Sequence, residues 1–316
     1  MKNFMKNFKK IADVLKLWIH NWILNLKTSS HCHPEVLSSQ DTLNLIQDKK
    51  LSISRYGDGE FSMMLGRSTN IGFQVANSDL SSRLHEVFEK PHSNVLICIP
   101  KVFKWEDRKI MEPFACKYWT RYLKKQSRPF FDLMRSRNYY GNALISRPYM
   151  DYSKNNNNYQ KCGLFFEKIK KLWEGKSILI VEGELTRFGV GNRLLDNAGV
   201  IKRVLCPAEN CWASYSQILE TTLSHAQDSD LVILALGPTA TVLAHDLAAH
   251  GVWALDLGHL DIEYEWFLQR ASRKTAVSGK YVNEAKNGSK VRQTVREDFL
   301  FESQVICKIA PPSTQN

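Results

Sequence analysis

Between residues 2 and 27 apolar side chains recur in alternating steps of four and three, at Phe4, Phe8, Ile11, Leu15, Trp18 and Trp22, which draws one continuous stripe along an amphipathic helix. A polar stretch, residues 28–34, separates this helix from a body spanning 35–286, and residues 287–316 follow as a C-terminal tail. Within the body, Val95-Leu96-Ile97-Cys98-Ile99 is an unbroken apolar run ending at Pro100, the pattern of a buried strand, with helical patterns over 78–89 and 107–125. Residues 143–146 read as another strand and 159–173 as a helix. The second half alternates more cleanly. Short apolar runs at 178–181, 204–205, 231–236 and 253–256 are separated by helical stretches such as 212–226 and 240–249. That order predicts an α/β fold, a Rossmann-like and mostly parallel sheet with helices on both faces, whose ligands bind at the carboxyl ends of the strands.

At 316 residues, 43% apolar and 24% charged, the chain can bury a full core without disulfide or metal staples. Its net charge of +11 favours anionic partners: phosphorylated small molecules, an acidic membrane surface or nucleic acid. No zinc-finger spacing, basic-region heptads or aromatic RNP-type strand accompanies that charge, so no nucleic-acid partner is expected. Residues 2–27 carry six lysines against one aspartate, with the lysines off the apolar stripe, which suits an anionic membrane surface or packing on the body or on a second subunit. Lys16, His20, Asn21 and Asn25 interrupt the segment too often for a bilayer span, and no cleavage site marks it as a signal peptide. Seven cysteines without a CxxC pair fit a reducing compartment, so a cytoplasmic location is expected, peripheral at the inner face of the plasma membrane if the helix binds lipid. His31-Cys32-His33 could ligate a transition metal, but no second cluster completes a site, and a polar linker accounts for it as well.

The densest chemistry lies in Arg55-Tyr56-Gly57-Asp58-Gly59-Glu60, directly after a short apolar alternation. Glycines on both sides of Asp58 let the backbone turn sharply, so that Asp58 and Glu60 could reach one hard cation. Arg55 adds a positive fork suited to a phosphate or to one of the acids. The plain alternative is a strand, a turn and an acid-rich first helical turn. Further chemistry follows the later strands: Glu182, Glu184 and Arg187; Gly189-Val190-Gly191-Asn192; Gly237-Pro238-Thr239; and Asp256 with Gly258 and His259. Thr239 is placed to cap the helix after Gly237-Pro238 and to offer backbone N–H groups to a phosphate, or to serve as a plain N-cap. Residues 189–192 lack the third glycine of a dinucleotide fingerprint and no P-loop lysine follows any turn, which excludes a nicotinamide or Walker-type site. In the acid-rich string 259–266, helical spacing puts Asp261 and Glu265 on one face and Glu263 on another; one of these acids could act as a general base.

Taken in order, Arg55-Tyr56-Gly57-Asp58-Gly59-Glu60, Ser146-Arg147-Pro148-Tyr149-Met150-Asp151-Tyr152, Val181-Glu182-Gly183, Gly189-Val190-Gly191-Asn192, Leu236-Gly237-Pro238-Thr239-Ala240 and the string 257–266 resemble the bacterial glycosyltransferases of GT-D fold. The resemblance runs from about residue 54 to 284 and leaves out the basic helix and the tail. It implies a nucleotide-diphosphate sugar donor and a divalent cation, Mn²⁺ or Mg²⁺, held by an Asp-any-Glu motif that falls on Asp58 and Glu60. It also implies that His259 and Glu265 lie in the active site, Glu265 as the base. Arg55, Gly57, Arg187, Asn192, Gly237, Pro238 and Thr239 are the expected donor contacts. A UDP-sugar, with UDP-glucose the first guess, and a glycan or lipid-linked glycan acceptor complete the expectation, in the synthesis of a surface polysaccharide or a protein-bound glycan. Arg193 departs from the acid that follows this glycine string in the family, so a shared sugar specificity is not implied. A metal-dependent phosphohydrolase or nucleotidyltransferase could use the same acids, and a non-catalytic membrane-surface module would need only the N-terminal helix.

Overall fold

The structure, a computed structural model, describes residues 33–67, 71–126, 128–135, 137–152, 154–291 and 298–312; the N-terminal helix expected over 2–27 lies outside them. The chain runs α1 (Ser39–Lys49), β1 (Ser52–Arg55), α2 (Asp58–Met64), α3 (Ser78–Glu89), β2 (Val95–Ile99), α4 (Trp105–Arg108), α5 (Pro113–Lys124), α6 (Arg128–Leu133) and β3 (Gly141–Asn142). It continues through α7 (Asn156–Lys170), β4 (Ser177–Gly183), β5 (Val200–Cys206), α8 (Tyr215–Ala226), β6 (Leu231–Ala235), α9 (Pro238–Ala249), β7 (Ala254–Asp256), α10 (Leu260–Leu268), α11 (Asp298–Gln304) and β8 (Val305–Lys308).

All eight strands are parallel, in the order β3-β2-β1-β7-β6-β4-β5-β8. From β1 the chain steps outward to β2 and β3, crosses to β4 and β5, then returns through β6 to β7 beside β1. The carboxyl ends of β1 and β7 therefore flank the point where the winding reverses, the place where open sheets of this kind leave a crevice. Period-2 alternation assigns the two faces. Ile178, Ile180, Ile233 and Leu255 join one core with Phe166 of α7 and Trp266 of α10. Leu179, Val181, Val232 and Leu234 point the other way, against Ile218 of α8 and Leu243 of α9. On that same side Ile97 and Ile99 pack with Phe61, Phe88 and Phe130 of the first-half helices.

Several local expectations change. Residues 143–146 form a 3₁₀ turn instead of a strand, started by the Asn142 side chain accepting from Leu144 N–H at 3.0 Å. The helix expected over 107–125 splits into α4 and α5, because Pro113 fixes a new first turn after Glu112. The helix expected over 159–173 starts earlier, at Asn156, where the Asn155 side chain accepts from Asn158 N–H. The segment read as a tail contributes α11 and the edge strand β8, which pairs with β5 from Arg203 to Leu205.

Glu182, which the sequence groups with possible site chemistry, is fully buried and serves the fold. It accepts from Arg203 Nη1 at 2.5 Å and from Phe188 N–H at 2.6 Å, while Arg203 Nε donates to Gln304 of α11. Burial pushes the Glu182 carboxyl up and Arg203 pulls it back. Removing one member of such a pair strands a charge in the core. Arg203→Met should therefore destabilise the protein by about 3–5 kcal/mol in denaturant unfolding, and adding Glu182→Gln should recover a large part of the loss.

Candidate functional site

Three side-chain clusters meet at the carboxyl ends of the strands. The first joins β1 to β7. Arg55 Nη2 lies 2.9 Å from Asp256 Oδ1 and Nε donates to the Asp256 carbonyl at 2.6 Å, while Nη1 reaches Ser146 Oγ. Thr241 Oγ stands 2.9 Å from the Arg55 carbonyl and 3.2 Å from Asp256 Oδ2. Of the two partners that the sequence leaves open for Arg55, the fork has taken an acid; it braces the site from beneath.

The chain leaving β1 carries the acid pair. Asp58 and Glu60 open α2, and the Glu60 carboxylate folds back so that Oε2 accepts from Gly57 N–H at 2.8 Å, the backbone half of a capping box. Burial pushes the Glu60 carboxyl up to about 6 despite that bond. Asp58 accepts at Oδ2 from the phenol of Tyr118 on α5, which the sequence reading did not select. Each acid thus has one oxygen engaged by a protein donor. Among the described residues no group of three or more His, Cys, Asp or Glu side chains could hold a metal ion. Two carboxylates without a third protein ligand fit Mg²⁺ or Mn²⁺, which keep water and take substrate phosphate in their remaining positions, and they do not fit an all-protein cage.

The second cluster starts from His259, the residue before α10. Its Nε2 lies 2.9 Å from Glu284 Oε1, and the same carboxylate receives both terminal nitrogens of Arg147 and the ammonium of Lys274. Burial and Arg147 lower the His259 imidazole, with Glu284 acting against them, whereas Arg147 and His259 hold the Glu284 carboxyl far below the usual range against burial. Sequence reading selected His259 and missed Arg147, Lys274 and Glu284. Arg147 stands inside a quoted motif, but Lys274 and Glu284 lie in irregular chain with no periodicity to flag them.

The third cluster follows β4. Asn192 Nδ2 donates to Asp261 Oδ1 and to Glu265 Oε1, both at 2.7 Å, and Lys280 Nζ sits 2.6 Å from Asp261 Oδ2 and 3.3 Å from Glu265 Oε1. Asp261 and Glu265 do share a helix face. Glu263 points elsewhere, fully buried, with Oε2 accepting from the Tyr149 and Met150 N–H groups at 2.9 and 2.8 Å, and Oε1 finding no partner. Through those bonds it fixes the segment that carries Arg147.

Two expected donor contacts sit elsewhere. Arg187, at φ 52°, stacks over Phe301 of α11 with 4.7 Å to the ring centroid. Thr239 does not cap its helix: Gly237 is the residue before α9, and Pro238 and Thr239 lie in the first turn, Thr239 fully buried with Oγ 3.4 Å from Gln74. Gly237 holds φ 58° against the ring of Phe73, where a Cβ would fall 2.1 Å from a ring carbon. That ring covers the turn expected to face a phosphate, and the Ala240 N–H is already spent on the Gly237 carbonyl.

With this geometry in place, the chain matches the glycosyltransferase GT-D fold family over residues 53–285, and it belongs to that family. It is 36% identical over 276 residues to a probable glycosyl transferase Gly of Streptococcus gordonii, covering 87% of this chain and 39% of that protein. A second relative, glycosyltransferase GlyD of Streptococcus pneumoniae serotype 4, is 32% identical over 87% of this chain and 32% of its own length. The chain thus spans about a third of the length of these curated relatives. Solved structures agree. One, described as the highly conserved domain of unknown function 1792 with a distinct glycosyltransferase fold, superposes with a TM-score of 0.78 at 32% identity, covering 93% of this chain and all of that one. Another, a glycosyltransferase of the same domain type from Streptococcus sanguinis, gives 0.76 at 35% identity over 88% of this chain and all of that one.

Burial and the neighbouring Asp151 push the Glu263 carboxyl up to about 7, from 4.5 for an unperturbed glutamate. Between those values the folded state holds more protons than the unfolded state, so this contribution to stability is present below about pH 4.5 and is lost as pH rises through 7. Glu263→Gln should flatten that dependence: relative to the parent, the variant gains stability from pH 5 to pH 8 in urea unfolding. Parallel profiles would mean that Glu263 is ionised in the fold.

Proposed function

We propose that this protein is an active, metal-dependent glycosyltransferase that moves a hexose from a nucleotide-diphosphate sugar to a hydroxyl of a glycan acceptor. The observation that carries the reading is the pairing of Asp58 and Glu60 at the reversal point of the sheet, each with one oxygen engaged by a protein donor. Glycosyl transfer breaks the bond from C1 to a diphosphate while negative charge builds on the leaving group. Asp58 and Glu60 would hold Mn²⁺ or Mg²⁺, which supplies charge neutralisation for that diphosphate. Tyr118 and the Gly57 N–H orient the two carboxylates, the outer-shell role that commonly sets metal affinity.

Glu265 is the base in this reading. Asn192 and Lys280 hold its Oε1, which leaves Oε2 to take the acceptor proton. Proton removal on the side opposite the leaving group describes a direct displacement with inversion at the anomeric carbon. A UDP-sugar is the first donor to test. The string 2–27 supports docking of the whole chain on an anionic membrane, where a lipid-linked acceptor would be met. No helix among the described residues is long and apolar enough to cross a bilayer.

Incubation with UDP-, GDP- and dTDP-sugars, with Mn²⁺ or with EDTA, should release free nucleoside diphosphate from one donor only when metal is present. Asp58→Ala should abolish that release, and Glu265→Gln should lower kcat by roughly a hundredfold or more with little change in donor binding. Release of inorganic phosphate or pyrophosphate instead would assign the site to a phosphohydrolase or nucleotidyltransferase. Metal-dependent turnover that survives Asp58→Ala would move the cation elsewhere.

A further inference from the structure

Glu284 draws three basic side chains from three different parts of the chain. Arg147 arrives from the segment after β3, His259 from the turn after β7 and Lys274 from the chain beyond α10. Arg147 approaches with both terminal nitrogens, Nη1 at 3.3 Å from Oε2 and Nη2 on Oε1; Lys274 meets Oε2, and His259 Nε2 stands 2.9 Å from Oε1. The cluster is mostly buried yet reached by water, with side-chain exposures of 21–30%. It is also tied to the strand that leads into the acid pair: Ser146, the neighbour of Arg147, is bound by Arg55.

One carboxylate is a poor match for these donors. Asp151 and Glu263 share in balancing the charge of Arg147, but the planar guanidinium fork, an ammonium and an imidazole together offer more hydrogen bonds than the two oxygens of Glu284 accept well. A phosphate, with three peripheral oxygens and a higher charge, is the anion that such a set suits. Glu284 itself sits in chain without helix or strand, so its side chain can turn away without disturbing an element.

We propose that Arg147, Lys274 and His259 form the subsite for the diphosphate of the nucleotide sugar, and that Glu284 is an internal stand-in for that diphosphate which the incoming donor displaces. This assignment rests on the glycosyltransferase reading and places the leaving group on side chains instead of on the start of α9, which Phe73 covers.

The test is isothermal titration of the full-length chain with UDP, GDP and dTDP, with and without Mn²⁺, on the parent and on Lys274→Met, Arg147→Lys and Glu284→Gln. Loss of a cation in Lys274→Met, and of the bidentate guanidinium fork in Arg147→Lys, should each weaken the best-bound nucleoside diphosphate about tenfold. Neutralising the competitor should tighten it several-fold in Glu284→Gln. Opposite signs are the signature, because a pin that merely holds the loop would be loosened from either side, and affinity would then move in one direction. Binding that falls in all three variants, or changes in none, overturns the subsite while leaving the donor reading intact. A parent protein that binds none of the three diphosphates overturns the donor reading, and the subsite with it. Circular dichroism melts that superpose on the parent confirm that each variant is folded.

Discussion

The arrangement of this site depends on one ion pair. β1 and β7 oppose only Ile53 and Leu255 directly, so the ladder between the two central strands is short. Ser52 Oγ and Trp253 Nε1 tie the starts of the two strands, and Arg55 and Asp256 lock their carboxyl ends, by a charged contact at 2.9 Å, a side-chain bond to the Asp256 carbonyl and a long bond from the Arg55 N–H to Asp256 Oδ2. The acid pair and the histidine then leave from the two ends of that joint: Gly57, Asp58 and Glu60 after Arg55, and His259 after Asp256. The third nitrogen of the fork, on Ser146, brings in the segment bearing Arg147. Even Gly258 answers to it, since a Cβ there would sit 2.6 Å from Arg55 Nη2. The most tempting phosphate ligand in the sequence is therefore the residue least able to leave its place.

Around the joint, acids are divided by what they touch. Asp58 and Glu60 each meet one neutral donor, which orients a carboxylate without cancelling its charge. Asp261, Glu182 and Glu284 meet full cations, and Glu263 meets only backbone and stays partly protonated near neutrality. A carboxylate with uncancelled charge attracts a cation, whereas one matched by Lys or Arg is held in place, as Glu265 is by Lys280.

The fold class was legible because the second-half strands are short apolar runs at regular spacing, and buried parallel strands must read that way. Where the reading slipped, a local polar group had taken over: Asn142 turned an apolar strand pattern into a 3₁₀ turn, and Pro113 cut one long periodic stretch in two. The acids at 58 and 60 stood out through their flanking glycines, and the shared face of Asp261 and Glu265 through helical spacing. Tyr118, Lys274 and Glu284 had no such signal, since each reaches the site across a long sequence separation from a helix surface or an irregular segment. Thr239 carried a misleading one, because nothing in the string Gly237-Pro238-Thr239 tells that Phe73, far earlier in the chain, lies over it.

The family match ends at residue 285, yet the sheet does not. β8, from Val305 to Lys308, runs alongside β5 opposite Arg203, Val204 and Leu205, the Ile309 N–H donates to the Leu205 carbonyl, and α11 brings Gln304 to the buried Arg203. The stretch that carries the ancestry is thus shorter than the stretch that closes the sheet. Cut at the family boundary, the domain would turn β5 into a raw margin, its apolar residues and unpaired amides forming a template for the next copy to dock onto. The last strand works as a selvedge, which trades a seven-residue margin for a four-residue one.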